Sequence, residues 1–371
     1  MSRNPSMTLP LLVALGAGAL LGLSAASQRE KLPAIGGPKP SLEGAQPLPL
    51  VEIALGVELA EAGGRVRHHV EQVPQAIRES LGFAPSHLGF KEDVSLAPRA
   101  YAVRLRGLVV ASGHVDPDRL LAIRTLGGGE GGDLPGEAGV EPVTGRTGVW
   151  ISEEDAGRAR LFGYDVLDPD LVFALHVDAA LRRHLHELLT REETYRMLDR
   201  VRQTAPRTVE DLTAQLEVGL IQKVLQNLLR EHVSLRDLPL VLELVADAAR
   251  TTKEPAALTE AVRTGLARQL SAAFADASGV LHAIPLGPRW EQIRHAKGGD
   301  RELGELIEWL RSQARDAREQ GFKPVLVAPS DLRLHVRQLI ERPLPDLPVL
   351  AEHEVDAAFT VQMLTGETVR A

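Results

Sequence analysis

One glycine-rich segment of this 371-residue chain has the spacing of a nucleotide-binding site. Gly127-x-Gly129-x-x-Gly132 matches a dinucleotide fingerprint, in which backbone N–H groups and a helix N-terminus hold a pyrophosphate. Here Asp133-Leu-Pro-Gly-Glu follows at once and cannot open that helix. The sequence therefore predicts a flexible loop over Gly127–Gly139, and it contains no Walker A sequence that could serve as another phosphate site.

Two pairs of histidines are candidates for metal ligands or general bases. His184 and His186 lie two residues apart, so on a helix their rings point to different sides. Zinc-binding helices use H-E-x-x-H instead, and that spacing is absent from the chain. His68 and His69 fall at the start of a charged helical segment. We interpret all four as polar residues that face solvent, and we predict no metal site.

No group of residues in the sequence has the pattern of a catalytic site. The chain has no cysteine, which excludes thiol catalysis and zinc–thiolate sites, and no serine lies in a G-x-S-x-G context. The acidic runs Glu153-Glu154-Asp155 and Asp168-Pro-Asp170 are typical of a helix N-terminus and a turn. We predict that the protein is not an enzyme and binds no cofactor. An enzyme whose site is assembled from distant residues is the alternative.

Composition and charge describe an ordinary globular chain. Hydrophobic residues make up 44% and aromatic residues only 4%, so the cores must be built from Leu, Val and Ala. The formal net charge of −8 argues against nucleic-acid partners, because phosphates attract basic surfaces. The length predicts two or three domains.

Periodicity predicts a fold that mixes α/β and all-α parts in several subdomains. Strands and helices alternate in the first half, Glu192–Phe274 is almost wholly helical, and a β-α-β-α-β order follows Gly279. The predicted strands are Val51–Val57, Tyr101–Arg106, Leu120–Arg124, Val149–Ile151, Val280–Leu286, Val325–Ala328 and Pro348–Ala351. The predicted helices outside the helical stretch are Val66–Leu81, Glu153–Phe162, Leu171–Leu189, Leu303–Gln320 and Asp331–Glu341.

The N-terminal segment is a long apolar span. Asn4–Gln28 carries no charge, and Met7–Ala26 is about long enough to cross a bilayer as a helix. The basic residues that follow favour a cytoplasmic C-terminal side. The competing interpretation is a secretory signal peptide, because Leu23–Ser27 resembles a small-residue cleavage region. In that case the chain would be an exported soluble domain with an unknown binding role.

The segment Gln222–Leu238, QKVLQNLLREHVSLRDL, predicts two helices separated by a short break. Ser234 is predicted to begin the second helix, with Asp237 three residues later in a capping pattern. A DNA-binding helix-turn-helix would need a basic second helix, but Leu235–Ala249 has one arginine, Arg236, against three acidic residues. The apolar stripe of the first helix consists of Ile221, Val224, Leu225, Leu228 and Leu229.

This segment, VLQNLLRE followed by VSLRDL, resembles the cytoplasmic domain of the FlhA/SctV (LcrD/InvA-type) family, the export-gate proteins of type III secretion systems and bacterial flagella. Other segments are similar to this family in the same order, so the resemblance covers nearly the whole chain. They are Tyr101–Gly107, Arg119–Ile123, Pro142–Gly145, Val149–Ile151, Asp168–Val177, His186–Arg191, Arg263–Gln269 and Pro348–Glu354.

The resemblance implies one N-terminal transmembrane helix followed by four subdomains. The helix with its flanks would occupy residues 1–31 and a proline-rich linker residues 32–46. The four parts would be a first α+β subdomain at 47–112 plus 168–189, an inserted second subdomain at 113–167, a helical third subdomain at 190–275 and a C-terminal α/β subdomain at 276–371.

The resemblance also implies a function in protein transport. Family members form a nonameric ring beneath the membrane export channel, and their third subdomains, which here would contain Arg236 and Asp237, touch in that ring. The implied partners are export chaperone–substrate complexes, other export-apparatus membrane proteins, further copies of the chain and the membrane itself, with no nucleic acid. The implied location is the bacterial inner membrane, with the bulk of the chain in the cytoplasm.

The family's docking dimple for chaperones maps onto five residues of this sequence: Glu141, Pro142, Thr144, Gly145 and Leu175. Flagellar members have an aromatic residue where this chain has Thr144, so Thr144 is closer to the injectisome branch. Leu175 replaces the family's threonine and would make the dimple more apolar. We expect Thr144 to lie on the surface.

Overall fold

The computed structural model describes residues 49–125, 132–287, 290 and 301–364. Among these, residues 49–76 and 85–180 form one compact unit, and residues 77–84 and 181–364 form a second. No helix within the described ranges is long and apolar enough to cross a membrane. The predicted membrane span Met7–Ala26 and the linker at 32–46 lie outside the described residues.

The first unit contains a four-stranded sheet in the order β2-β1-β3-β4. Strand β3 lies where the sequence predicts it, but its burial does not alternate: Tyr101, Ala102 and Val103 are all buried, and only then is Arg104 partly exposed. Arg106 and Gly107 both have positive φ and turn the chain into β4, a strand that the sequence did not predict. The elements are β1 Val51–Leu55, α1 Val57–Ala62, α2 Gly64–Arg67, α3 Val73–Leu81, β2 Gly89–Glu92, β3 Ala100–Leu105 and β4 Leu108–His114.

The single helix predicted over Val66–Leu81 is wrong. The chain forms α2, a 3-10 turn at Val70–Gln72 and then α3. Pro74 explains the break. In a continuous helix its ring would clash with the backbone carbonyl one turn earlier, and it has no N–H to donate. The predicted end at Gly82 is confirmed, with φ at +78°.

A second, antiparallel sheet is inserted after β4, in the order β6-β7-β5-β8. Its small core joins Ala122, Ile151 and Ala159 on the face that carries α4. The elements are β5 Leu120–Arg124, β6 Glu137–Val140, β7 Thr147–Ile151, a 3-10 turn Glu153–Asp155, α4 Ala156–Leu161, β8 Tyr164–Leu167 and α5 Pro169–Arg183.

Strand β6 overturns part of the predicted loop Gly127–Gly139, whose residues 127–131 lie outside the described ranges. Gly139 pairs with Gly148 inside the sheet rather than lying in a flexible loop. A Cβ atom on Gly139 would lie 2.6 Å from Trp150 Nε1, so the indole lies across the space that a side chain would need. Glycine here serves close packing of a strand.

The second unit begins with helices. In α9 the predicted apolar stripe is confirmed, since all five of its residues have no exposed surface. The helices are α6 Leu185–Leu188, α7 Arg191–Arg202, α8 Pro206–Gln215, α9 Val218–Arg230, α10 Leu238–Ala248, α11 Pro255–Gly265 and α12 Ala267–Phe274.

The predicted start of the second helix of this pair is wrong by several residues. Asp237, not Ser234, caps α10, and its carboxylate accepts a 3.2 Å hydrogen bond from Leu240 N. Pro239 explains the position, because a residue without an N–H suits the first turn of a helix. The Ser234 hydroxyl instead donates to the carbonyl of Ser80 at 2.9 Å.

The remainder of the second unit is an α/β layer around a parallel sheet in the order β11-β10-β9-β12. The predicted β-α-β-α-β order is confirmed, and the short exposed strand β12 is an addition that the sequence did not predict. The elements are β9 Val280–Pro285, α13 Arg301–Glu319, β10 Pro324–Ala328, α14 Arg333–Ile340, β11 Val349–Ala351, a 3-10 turn Glu352–Glu354 and β12 Thr360–Met363.

A buried ion network joins the helices to this α/β layer. Arg263 of α11 donates to both carboxylate oxygens of Glu354, from Nε at 2.7 Å and from Nη2 at 2.8 Å. Arg333 of α14, which has no exposed surface, donates to Glu231 at the end of α9 and to Glu260. Burial opposes ionisation of Glu231, but Arg263 and Arg333 outweigh it and hold the pKa of Glu231 below its ordinary value.

We predict that Leu228→Asp unfolds the helical region. Leu228 lies in the middle of the buried stripe of α9, and an unpaired buried carboxylate costs on the order of several kcal/mol. A thermal melt of the purified chain followed by circular dichroism measures the loss. Lys223→Asp, on the exposed face of the same helix, is the matched control. Equal melting temperatures for both variants would show that the stripe is not essential to the core.

We also predict that Glu354→Gln destabilises the second unit by about 3–5 kcal/mol, because it leaves the buried Arg263 guanidinium without its bidentate counter-charge. Urea denaturation measures the free energy of unfolding. Glu352→Gln removes the same charge two residues earlier at an exposed position and should change little. A Glu354→Gln variant as stable as this control would contradict the importance of the pair.

Candidate functional site

Four of the five residues predicted for docking form one loop between β6 and β7. Glu141 begins the loop with only 6% of its surface exposed. Its carboxylate accepts hydrogen bonds from Val143 N at 2.7 Å, from Thr144 N at 2.8 Å and from the Thr144 hydroxyl. The Glu141 backbone N–H donates to Arg146 O at 2.8 Å and closes the loop at its base. We name residues Glu141–Arg146 the Glu141 loop.

The other residues of the Glu141 loop suit the backbone that this carboxylate organises. Gly145 has φ at +71°, where residues with a Cβ are strained, and its N–H donates to Glu141 O at 2.9 Å. Pro142 has no N–H, so it leaves no donor unsatisfied between Glu141 and the first N–H group that the carboxylate accepts, that of Val143. The loop therefore has one defined shape with its polar groups turned inward.

The Glu141 loop lies close to the first sheet. Tyr101 of β3 is fully buried, and its hydroxyl forms a 2.6 Å hydrogen bond with Nδ1 of His176 on α5. Burial raises the pKa of the Tyr101 phenol well above its ordinary value, and the nearby Glu141 carboxylate raises it further. A Cβ atom at Gly113 would lie 2.5 Å from the same hydroxyl oxygen, so this pair is tightly enclosed. The sequence did not identify the Tyr101–His176 pair, because the two residues are 75 positions apart.

Leu175 and Thr144 are less available than the sequence indicated. Leu175 precedes His176 on α5 and is only 7% exposed, so little of its surface is free to meet a partner. Thr144 is half-buried, and its hydroxyl is bound to Glu141. Thr144 is therefore at the surface only in part, because its hydroxyl is committed to the loop. A role for both residues in docking stays a prediction.

Exposed apolar side chains accompany the inserted sheet. Val140, the last residue of β6 before the Glu141 loop, is 53% exposed, and Leu161 at the end of α4 is 88% exposed. Neither is needed for the small core around Ala122. A loop of fixed shape beside exposed apolar surface suits contact with another protein.

The two residues predicted in a ring contact lie before α10. Arg236 is exposed, and its backbone N–H donates to the Ser234 hydroxyl at 3.3 Å. The Asp237 carboxylate is committed to the cap of α10. Asp237 therefore has a structural task of its own, and its part in a ring stays a prediction.

The histidines do not assemble a metal site in the described part of the chain, where no cluster of three metal-ligating side chains occurs. His69 pairs with Asp170 at 2.6 Å, and His184 pairs with Glu187 at 2.7 Å. The interpretation of His69 and His186 as solvent-facing is wrong, because their side chains are only 13% and 15% exposed. Burial lowers the pKa of His186 to about 4.

Two solved structures share the fold of this chain. The Chlamydia pneumoniae CdsV chain in a complex with CdsO has a TM-score of 0.70 at 20% identity, over 87% of this chain and 98% of that one. The nonameric EPEC SctV-C structure has a TM-score of 0.68 at 18% identity, over 86% and 98%. At these identities the likeness establishes the fold: a mixed α/β, multi-domain architecture.

Sequence comparison gives the family. The model of the FHIPEP family matches residues 24–360, so this chain belongs to the FHIPEP family, the FlhA/SctV export-gate proteins of flagella and type III secretion. The flagellar biosynthesis protein FlhA of Bacillus subtilis (strain 168) is 32% identical over 324 residues, which are 83% of this chain and 47% of that protein. The chain thus spans about half the length of this relative.

We predict that Glu141→Gln loosens the Glu141 loop. An amide has one acceptor oxygen, so at least one of the N–H groups of Val143 and Thr144 would face an NH₂ group instead. The expected loss is about 1–3 kcal/mol of stability in the inserted sheet. Urea denaturation followed by tryptophan fluorescence measures it, with Glu154→Gln at an exposed position as the control. Equal stability of the two variants would contradict the organising role of Glu141.

Proposed function

We propose that the chain is a docking platform for export chaperone–substrate complexes in a type III protein export gate, and that the Glu141 loop is its contact site. The observation that carries this proposal is the buried Glu141 carboxylate, which fixes the loop beside Val140, an exposed apolar residue. Membership of the export-gate family supplies the biological setting. The proposed function is binding without catalysis, and it requires no cofactor.

The finer parts of the proposal follow from the family. The chain assembles as a nonameric ring with the region around Arg236 and Asp237 at the ring contact, and the nonameric assembly of EPEC SctV-C supports this part of the proposal. A CdsV structure includes CdsO, which supports further export-apparatus partners. The platform is held at the bacterial inner membrane by the N-terminal span, with the bulk of the chain in the cytoplasm, and it is divided into the four subdomains predicted from the sequence.

The geometry decides which substitution tests docking cleanly. Thr144→Asp would place a second carboxylate against Glu141, so it would disturb the loop as well as any contact. Val140→Asp is a better probe, because Val140 is 53% exposed and its side chain is not needed for the hydrogen bonds of the Glu141 loop. Leu161→Asp is the matched control: it makes the same apolar-to-acidic change at an even more exposed position of the inserted sheet.

We expect Val140→Asp to weaken binding of a cognate export chaperone–substrate complex about tenfold or more, since a charge in a contact core costs roughly 1–3 kcal/mol. Calorimetric titration of the full chain with each such complex of the source organism measures the affinity, and a melting curve checks the fold. Leu161→Asp should bind like the unmodified chain. If Val140→Asp binds every complex with unchanged affinity at an unchanged melting temperature, the Glu141 loop is not the docking site.

A further inference from the structure

The chain passes twice between the first sheet and the inserted sheet. The first crossing, residues 115–119, leads from β4 to β5, and the second leads from Leu167 at the end of β8 to Pro169 at the start of α5. Aspartates occur at both crossings: Asp116 and Asp118 at the first, Asp168 and Asp170 at the second. The inserted sheet is therefore connected to the rest of the first unit by two short stretches of backbone, and aspartates lie at or next to both.

A line of alternating charges runs across the first crossing. Arg99, which precedes β3, donates from Nε to Glu58 of α1 and from Nη1 to Asp116, each at 2.7 Å. Asp116 Oδ2 also lies 3.6 Å from Nε of Arg119, and Arg119 Nη1 lies 3.6 Å from Glu137 at the start of β6. We call these five residues the charge ladder. It begins at Glu58 on helix α1, beside the first sheet in the chain, and ends on β6, the strand that leads into the Glu141 loop.

Asp116 is the centre of the charge ladder. Its side chain is 3% exposed, and its other oxygen, Oδ1, accepts a hydrogen bond from Asp118 N at 3.1 Å. A buried carboxylate is tolerated only when it is paired and hydrogen-bonded, so the burial of Asp116 requires Arg99 and the crossing to keep this arrangement. The outer pairs are more exposed than Asp116, so each adds less stability than the Arg99–Asp116 pair.

Two more side-chain pairs connect the crossings to helices and loops around the first sheet. Arg65 of α2 donates to Asp118 at 3.0 Å. His69 pairs with Asp170 at 2.6 Å, just beyond the second crossing. Asp116 and Asp118 of the first crossing, and Asp170 just beyond the second, thus pair with side chains that belong to the first sheet's own helices and loops.

We propose that the charge ladder positions the Glu141 loop, by fixing the inserted sheet against the first sheet, and that Asp116, Arg99 and Arg119 are positioning residues for docking. The core around Ala122 is small and lies on the face that carries α4, while Leu121, Ile123 and Trp150 are buried outside it. The orientation matters because the charge ladder ends at Glu137, at the start of β6, the strand that leads into the Glu141 loop. That these residues position the Glu141 loop for docking rests on the function proposed above.

A distance measurement tests the positioning. The chain contains no cysteine, so nitroxide labels can be placed at Val94→Cys, on the first sheet's side, and at Leu161→Cys, on the inserted sheet's side; both positions are more than four-fifths exposed. Double electron–electron resonance on the full chain then gives the distribution of the distance between them. We expect one narrow peak for the otherwise unmodified chain and, for Asp116→Asn, a distribution about twofold wider or a second peak, because a loosened hinge samples several orientations.

Two further variants make the result decisive. Arg119→Gln breaks the charge ladder at a half-exposed residue and should widen the distribution even if Asp116→Asn fails to fold. Asp165→Asn removes an exposed carboxylate from β8, outside the charge ladder, and should leave the peak narrow. An unchanged width in both ladder variants, or an equal widening in Asp165→Asn, would overturn the positioning role. Because the distances are measured without a partner, this outcome is independent of whether Val140→Asp affects docking.

Discussion

Burial of ionised side chains is the constraint on which this structure depends most. Arg333 has no exposed surface and Arg263 is 2% exposed, so both guanidinium groups must find carboxylates inside the protein. They find Glu231 at the end of α9 and Glu354 beside β11, which are far apart in the sequence. Because neither arginine can be left alone, the helices and the parallel sheet of the second unit are held to one arrangement.

The first unit applies the same principle on a smaller scale. Glu141 and Asp116 are two of its buried carboxylates: Glu141 accepts from N–H groups of its own loop, and Asp116 accepts from Arg99. Hydrogen bonds to charged groups contribute more than neutral ones, and an unpaired partner is costly. A small inserted sheet with a sparse core can therefore still present a loop of defined shape, and a defined loop is what binding another protein requires.

The sequence predicted the parts of the fold that repeat a local pattern. The stripe through Leu228 states which face of helix α9 is buried, and that helix followed directly. The run from Tyr101 predicted strand β3, but Ala102 is buried as well, so both faces of the strand are covered there. The sequence failed where a distant residue decides. Gly139 looked like loop because the indole of Trp150 that requires glycine there comes from another strand. Helix starts failed by a few residues because Pro239, rather than the first capping residue, sets the start of α10.

The candidate site was predicted only in part, again because residues distant in the sequence decide some of its contacts. The resemblance identified Glu141, Thr144 and Gly145, and the local hydrogen bonds among them explain their spacing. The resemblance did not reveal that the Thr144 hydroxyl donates to the Glu141 carboxylate, nor that Tyr101 pairs with His176. Both contacts can be seen only in the tertiary structure. Neighbouring charges along the chain, such as Asp116 and Arg119, look like ordinary solvated side chains until β5 and β6 bring Glu137 beside them.

The most direct test of a docking role is to identify what touches the Glu141 loop in a living cell. A photo-crosslinking amino acid placed at Val143, which is half-buried and uses only its backbone N–H within the loop, would report contacts in the source bacterium during active export. The same photo-crosslinking amino acid at Leu161, the last residue of α4, reports contacts outside the Glu141 loop. The docking account predicts adducts with export chaperones or their substrates at Val143 and not at Leu161. Adducts of these proteins at Leu161 alone, or at neither position, would contradict it.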